Sequence, residues 1–223
     1  MKLWLTMLIT LSLTGCATAP KTDVSPFVAL KPRSILVLPP LNDSPEVEAP
    51  LVYLSTISKP FGELGYYVLP VALTEQFLRE NGAEEPYDMH QISHAKLRDI
   101  FGADLALYVR IQNYGQRFLV LNSVTEFRAE ARLVHLASGK EIWSGTAFNS
   151  ESSNATRSGN ILEMFLGAAL TQIADTHSGR IRGVVSVANY NMLSSRQYGI
   201  PPGPYYPVEE ETSTETAEVN NSN

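Results

Sequence analysis

The chain has very little cysteine: Cys16 is the only one in 223 residues. No disulfide can therefore form within the chain, and the folded part must be stabilised by its apolar core. An apolar content of 44% and a charged content of 18% are typical of a folded chain and exclude a wholly disordered one.

Positive charge is also scarce. The 17 Lys and Arg residues are outnumbered by 23 Asp and Glu residues, and the formal net charge is −6. Residues 197–223 hold five of the glutamates and no Lys or Arg, so the rest of the chain is close to neutral. Nucleic-acid binding needs a basic surface that neutralises phosphates. The composition therefore excludes nucleic acid as a partner.

Sequence patterns for catalysis are missing as well. The chain has no G-x-S-x-G nucleophile elbow, no G-x-x-x-x-G-K-[ST] phosphate loop and no G-x-G-x-x-G motif. His90 and His94 are the best metal candidates, because residues four apart share one face of a helix. However, Ser93 between them is a candidate N-cap, and no Glu follows His90 in the HExxH manner. We interpret both as loop histidines and predict no catalytic residue, no cofactor and no metal.

The amino terminus carries the most specific signal in the chain. Residues 3–13 form an apolar stretch after Lys2, and eleven residues suit a signal-peptide core, whereas a membrane-spanning helix needs about 20. Residues 13–16 (LTGC) resemble the bacterial lipobox, in which the cysteine is lipidated and becomes the first residue of the mature protein. The alternatives are a secretory signal cut near residues 17–19 (ATA), or an uncleaved signal anchor. We predict lipidation at Cys16.

The resemblance to a lipobox also implies a location. Ala17 follows the cysteine, and the usual sorting rule for such lipoproteins sends a chain without Asp at that position to the outer membrane. Several acyl chains on one residue anchor a protein stably without a transmembrane helix, because each buried methylene contributes roughly 0.8 kcal/mol. We expect an outer-membrane lipid anchor with the globular domain in the periplasm, surface exposure being the alternative.

Composition divides the chain into five segments. These are a cleaved signal peptide (1–15), the lipidated cysteine and a tether (16–33), one α/β globular domain (34–195), a Pro- and Tyr-rich C-terminal arm (196–207) and an acidic disordered tail (208–223). An ordered arm around 27–30 is the alternative for part of the tether. The C-terminal arm could dock on a partner or pack along its own domain, and we favour the second.

Hydrophobic periodicity predicts the elements of the domain. Short apolar runs predict strands at 34–38, 66–71, 103–114, 118–121, 124–135 and 140–149. Helical spacing predicts helices at 51–61 with a break at Pro60, at 74–80 with Thr74 as N-cap, at 93–101, and at 160–177 continuing to about 193. A polar loop is expected at 150–159. The strict alternation at 125–133 predicts an antiparallel strand with one wet face, turning at Ser138-Gly139.

These elements predict an α/β (α+β) fold. It has a mixed sheet of about five strands, with an N-terminal βαβ unit, a C-terminal antiparallel meander and flanking helices. The histidines His135 and His177 are isolated from other titratable groups in this scheme, and we interpret both as structural.

The motifs together resemble a family of Gram-negative lipoproteins catalogued as a domain of unknown function, which includes a meningococcal vaccine candidate. The matching segments are the lipobox, 37–40 (VLPP) with Asn42, 53–56 (YLST), 65–71 (GYYVLPV), 80–82 (ENG), 101–104 (FGAD) with 107–108 (LY), and 139–143 (GKEIW). The family is similar to the N-terminal domain of TolB and to the periplasmic domain of the curli secretion lipoprotein CsgG. The resemblance implies an α/β domain, membrane attachment and assembly with other envelope lipoproteins. It implies no catalytic residue.

The sequence therefore favours a non-enzymatic lipoprotein that is a structural or accessory subunit of a CsgG-like envelope complex. Its partners would be the membrane, a second copy of the chain or other envelope lipoproteins. A binding module for a small ligand or cell-wall glycan is the first alternative. A metal-dependent enzyme that uses His90 and His94 is the second.

Overall fold

The computed structural model describes residues 21–118, 123–153 and 177–207. The predicted signal peptide, Cys16, residues 119–121 of the fourth predicted strand, most of the helix at 160–177 and the acidic tail lie outside these ranges. The helices are α1 (Ser25–Leu30), α2 (Ala49–Glu63), α3 (Val71–Glu80), α4 (Pro86–Gln91), α5 (His94–Phe101) and α6 (His177–Ser194). The strands are β1 (Ser34–Val37), β2 (Leu41–Asn42), β3 (Tyr67–Val68), β4 (Leu105–Phe118), β5 (Ser123–His135) and β6 (Lys140–Ser153).

The strands form one mixed sheet in the order β3-β1-β4-β5-β6, with β2 also pairing with β4. The pairs of β1 with β3 and of β1 and β2 with β4 are parallel, and β4-β5-β6 is an antiparallel meander. The predicted fold class is therefore confirmed, with the β1-α2-β3 unit at one edge and the meander at the other. The sheet has six strands instead of about five, and the two-residue β2 was not visible as a hydrophobic run. The prediction of separate strands at 103–114 and from 118 is wrong, because β4 continues without a break to Phe118.

One predicted helix cap and two predicted turns are confirmed. Ser93 caps α5 by accepting a hydrogen bond from the Lys96 N–H (3.3 Å), and Gly102 ends this helix at φ +63°. The β5–β6 hairpin turns at residues 136–139, where Gly139 has φ +67°.

Several predicted boundaries are wrong. Thr74 is not an N-cap, because α3 begins at Val71 and the Thr74 N–H already donates within the helix to the Pro70 carbonyl (3.0 Å). Helix α2 is not broken at Pro60 and continues to Glu63. A proline this close to the end of a helix removes a single backbone bond, and its neighbour Phe61 is fully buried in the core. Strand β6 extends to Ser153, into the predicted polar loop.

The sheet has one face fully covered and one face partly covered. Helices α2 and α6 pack on the first face against β4, β5 and β6, in the larger of two apolar clusters. The second cluster is smaller, and there α3, α4 and α5 contribute Leu78, Met89 and Leu97. These three short helices cover β1 together with the start of β4 and the end of β5, where Ala106 and Val134 belong to the same cluster. The rest of the second face is left uncovered by the described residues.

The segments at both ends of the domain pack onto it. Part of the predicted tether forms α1, whose Phe27 is 4% exposed in the larger cluster. The C-terminal arm lies against the loop after α2, where the Gly203 N–H donates to the Leu64 carbonyl (2.7 Å). Among the helices of the described ranges, none combines the length and apolar character that crossing a membrane requires.

Candidate functional site: the open face of the sheet

The uncovered part of the sheet forms a shallow cavity of about 500 Å³. We call this surface the open face and define it by Tyr108, Arg110, Arg128, Glu130, Arg132, Glu141, Ser144, Thr146 and Phe148. The side chains at 128, 130 and 132 share it because alternate residues of a strand point to the same side. They are the wet positions that the alternation at 125–133 predicts.

Cross-strand register arranges these residues in rows. Tyr108 lies opposite Arg132, which lies opposite Ser144 on β6. The next row contains Arg110, Glu130 and Thr146. A register shift at Ile142 places Glu141 on the open face and turns Trp143 into the core, where Trp143 lies opposite Leu133.

Tyr108 is the centre of an aromatic and cationic stack. The Arg132 guanidinium lies 4.4 Å from the centroid of its ring, and the rings of His90 and His94 approach edge-on at 5.2 and 6.0 Å. This contact restricts the positions that the exposed Arg132 side chain can adopt. A second cation–aromatic pair follows on the same face, because Arg128 lies 4.4 Å from the ring centroid of Phe148.

The Tyr108 hydroxyl has no hydrogen-bond partner among the described residues, although the side chain is only 3% exposed. Burial raises the pKa of this hydroxyl, and the nearby Arg132 opposes part of that effect. The group is therefore neutral at physiological pH and has an unused donor.

His90 is fixed by a carbonyl group. Its Nε2 lies 2.9 Å from the Pro39 oxygen, and because a carbonyl only accepts, this nitrogen carries the proton. Burial lowers the pKa of His90, the bond to Pro39 works against this, and Arg132 and Arg110 lower it further. The imidazole is therefore neutral at pH 7.

The interpretation of His90 and His94 as loop residues is wrong. His90 lies in α4, and His94 is the first residue of α5, so the two belong to different helices. Both rings face Tyr108. Within residues 21–118, 123–153 and 177–207, no three His, Cys, Asp or Glu side chains are grouped closely enough to hold a metal ion. His135 contacts the Ser138 hydroxyl (2.9 Å) in the β5–β6 turn, and His177 begins α6.

Arg110 forms an ion pair with Asp43, and the distance from Nη1 to Oδ1 is 2.8 Å. Both side chains are about half exposed, so the pair contributes at most about 1 kcal/mol to stability. Arg110 is positive and the neighbouring Glu130 and Glu141 are negative, so the open face carries charges of both signs.

Sequence reasoning predicted a wet face for β5 but did not identify it as a site. The sequence signal for this site was the alternation of Glu and Arg at positions 126, 128, 130 and 132, together with Tyr108 in a neighbouring strand. This signal does not identify a site by itself, because only the register of β4 with β5 places Tyr108 beside Arg132.

Comparisons with known proteins give consistent matches. The family model described as "Putative lipoprotein GNA1162-like" matches residues 22–205. The putative lipoprotein NMB1124/NMB1162 of Neisseria meningitidis serogroup B is 41% identical over 204 residues, which cover 90% of this chain and 94% of that protein. The crystal structure of lipoprotein GNA1162 from Neisseria meningitidis is also 41% identical, with a TM-score of 0.53. That match covers 65% of this chain and all of the other.

Proposed function

Because the chain belongs to the GNA1162-like family of putative lipoproteins, we propose that it is an accessory subunit of a cell-envelope complex. Membership of a lipoprotein family implies membrane anchoring. In the proposed role the protein is non-enzymatic, is attached to the outer membrane through acylated Cys16, and presents its domain in the periplasm. It contacts another envelope protein through the open face. The complex is of the CsgG-like kind that the sequence resemblance implies.

The observation that supports this role is the chemistry of the open face. Arginine, tyrosine and phenylalanine are enriched in protein–protein interfaces, and arginine and tyrosine are common among the residues that dominate binding energy. Here Arg132 and Arg128 are already held against aromatic rings, each at 4.4 Å. A partner that binds them loses less side-chain entropy than one that binds freely moving arginines.

The position of α1 limits the distance between the proposed anchor and the domain. Phe27 is packed in the core and is only the eleventh residue after Cys16. Fully extended, eleven residues reach roughly 40 Å. The domain would therefore work within a few tens of ångströms of the membrane, a shorter reach than a tether to residue 33 would allow.

Affinity capture from membranes tests the proposed function. The acylated protein is cross-linked in the envelope, captured, and compared with an Arg128→Ala/Arg132→Ala variant. A Lys59→Ala/Arg79→Ala variant is the matched control, since it removes two exposed cations elsewhere. If each open-face arginine contributes about 1 kcal/mol to binding, the first variant loses at least about tenfold in captured partner. The control captures as much as the wild type.

Two results would contradict the proposal. One is equal capture of the same envelope protein by all three forms, which would exclude the open face as the contact surface. The other is that no envelope protein is captured by the wild type.

A second candidate function is a binding module for a polar small molecule or cell-wall glycan. The observation that favours it is that Tyr108, whose buried hydroxyl has no partner among the described residues, lines a cavity of about 500 Å³. Titration with soluble peptidoglycan fragments would raise the thermal midpoint of the wild type and of Tyr53→Phe, but not of Tyr108→Phe. Tyr53 is the control because its hydroxyl is also unpartnered among the described residues but lies in the opposite core. An unchanged wild-type midpoint would rule this candidate out for such fragments.

A further inference from the structure

Strand β6 is an edge of the sheet in the described part of the chain. One side of it pairs with β5, and no described strand pairs with the other. The free side borders a groove of about 390 Å³ between β6 and α6, lined on the strand by Ser144, Gly145, Thr146 and Phe148. The backbone donors and acceptors of this edge are therefore accessible to an added strand.

The central part of β6, between its charged ends, lacks the usual protection of an edge. Natural edge strands are shielded by lysine, proline or a bulge that twists the edge away. Residues 142–150 of β6 include no charged residue and no proline, and the register shift lies near the start of the strand at Ile142. Phe148 is 43% exposed on this strand, and Tyr198 across the groove is 44% exposed. A long, uncharged edge with exposed aromatics favours strand pairing over solvation.

We infer that β6 pairs antiparallel with β6 of a second copy of this chain, so that two sheets join across a two-fold axis. Charge complementarity indicates that the added strand is β6 of a second copy. A two-fold axis perpendicular to the sheet places each residue opposite one on the same face. In the register centred on Thr146, Thr146 lies opposite itself and Ser144 lies opposite Phe148.

The same register pairs the charged ends of the strand. Counted from Thr146 alone, Lys140 would lie opposite Ser152. Because Ile142 is an extra residue in the strand, the pairing shifts by one, and Lys140 of one copy lies opposite Glu151 of the other. Both are exposed, and their positions opposite His135 and Thr125 on β5 place them on the same face. The symmetric pair therefore contains this opposite-charge contact twice. A shift of two residues in either direction separates Lys140 from Glu151, so the charges select one register and a partner with the same strand.

The inferred contact uses the free edge of β6, which shares Ser144, Thr146 and Phe148 with the open face but does not include Arg132 of β5. It stands whether or not another envelope protein binds Arg128 and Arg132.

Disulfide trapping in membranes tests the inference on the full acylated chain. In a symmetric pair, a single cysteine forms a disulfide with its own copy only where the residue lies opposite itself, within the Cα distance of about 4.4–6.8 Å that a disulfide needs. Thr146→Cys is exposed and should yield a dimer of twice the chain mass on mild oxidation. Lys59→Cys on α2 is the matched exposed control, and the wild type gives the background from Cys16. We expect at least tenfold more dimer from Thr146→Cys than from either control.

Charge exchange tests the register. In the Thr146→Cys background, Lys140→Glu should lower the dimer yield several-fold, and Lys140→Glu/Glu151→Lys should restore it. Restoration would not follow if the single change merely damaged the fold. In the same background, Arg132→Ala, which removes a guanidinium that lies over Tyr108 of β4 and not over a β6 ring, should leave the dimer yield unchanged, which separates this contact from the proposed function.

Three outcomes would overturn the inference. A Thr146→Cys yield no higher than that of Lys59→Cys would show that the two strands do not meet. A cross-linked product of another mass would assign the edge to a different protein. Cross-linking that is unaffected by Lys140→Glu would exclude the proposed register.

Discussion

At the scale of single residues, a few side chains hold the C-terminal arm to the domain. The Tyr66 hydroxyl donates to the Pro201 carbonyl (2.9 Å), and the Trp143 Nε1–H donates to the Tyr198 carbonyl (2.7 Å). Ile200 lies between these two contacts in the chain and is 7% exposed in the larger core cluster. The arm is therefore packed along its own domain, and the tyrosine and proline content that could indicate a partner has a structural explanation in these contacts.

Tyr66→Phe should lower the free energy of unfolding by about 1 kcal/mol, because it removes one intramolecular hydrogen bond. Burial raises the pKa of Tyr66 to about 12, so the hydroxyl is a neutral donor throughout the usable pH range. Urea denaturation measures the loss, and hydrogen exchange should be faster at residues 199–203. Tyr67→Phe is the control, since Tyr67 is 56% exposed. Equal effects of the two changes would show that the bond to Pro201 contributes nothing.

His90 should make stability dependent on pH. Its folded-state pKa is below the usual value of about 6.5, so below that pH the unfolded chain binds a proton that the native state does not. Stability therefore falls as pH decreases from about 6.5 towards the folded-state pKa. His90→Gln can still donate to the Pro39 carbonyl but does not titrate. Urea denaturation at pH 7.5 and 5.5 should show a smaller loss for this variant than for the wild type, and an identical loss would contradict the assignment.

At the scale of elements, the turn after α2 shows why one glycine is required. Gly65 has φ +79°, and a Cβ at this position would overlap the backbone of Tyr206 in the C-terminal arm. The arm also donates from the Tyr205 N–H to the Gly65 carbonyl (3.0 Å). The end of one helix and a distant, irregular segment are therefore packed so closely that no side chain fits between them.

Gly65→Ala should destabilise the protein by about 1–3 kcal/mol, from backbone strain at positive φ and displacement of the arm. Gly62→Ala is the matched control within α2, where a Cβ meets no atom within 4 Å. That change should be neutral or stabilising by up to about 1 kcal/mol, because alanine favours the helix. Thermal denaturation of both variants decides between a specific close contact and a general intolerance of alanine in this region.

Asp104 illustrates how a family motif can have a structural role. Its carboxylate Oδ2 accepts from the N–H groups of Arg33 (2.8 Å) and Ser34 (3.2 Å), and the Asp104 N–H donates to the Ser34 hydroxyl (3.0 Å). These bonds join the start of β1 to the start of β4. Asp104 of the motif at 101–104 therefore aligns these two strands.

At the scale of the whole molecule, the proposed lipid anchor and the domain have separate roles. The domain has its own core and charges of both signs on its open face, whereas in the proposed function its location depends on the amino terminus. Loss of the anchor should therefore change where the protein is and leave the fold unchanged.

Cys16→Ala should move the protein from the membrane fraction to the periplasm and abolish acyl labelling, because in the proposed function the acyl chains on Cys16 supply the binding energy to the bilayer. The released protein should keep the thermal midpoint of the wild-type domain. Replacement of Ala17 by Ser is a matched control that should leave fractionation unchanged. Persistence of the Cys16→Ala protein in membranes would mean that an uncleaved signal anchor or a protein contact holds it there.

The sequence by itself determined the features that depend on local physics. Apolar periodicity predicted the βαβ unit and the alternation of β5, and backbone preferences of Ser93, Gly102 and Gly139 predicted a cap and two turns that the structure confirms. The lipidation of Cys16 was also predicted from a local pattern and stays a prediction.

Only the tertiary structure decided the features that depend on partners far apart in the chain. Tyr108 and Arg132 meet because of the register of β4 with β5, and one extra residue at Ile142 decides which β6 side chains face the cavity. Likewise, Gly65 and Tyr206 are brought together by an arm without regular structure. Local periodicity specifies which side of an element is apolar, but it has no information about which distant residue lies opposite.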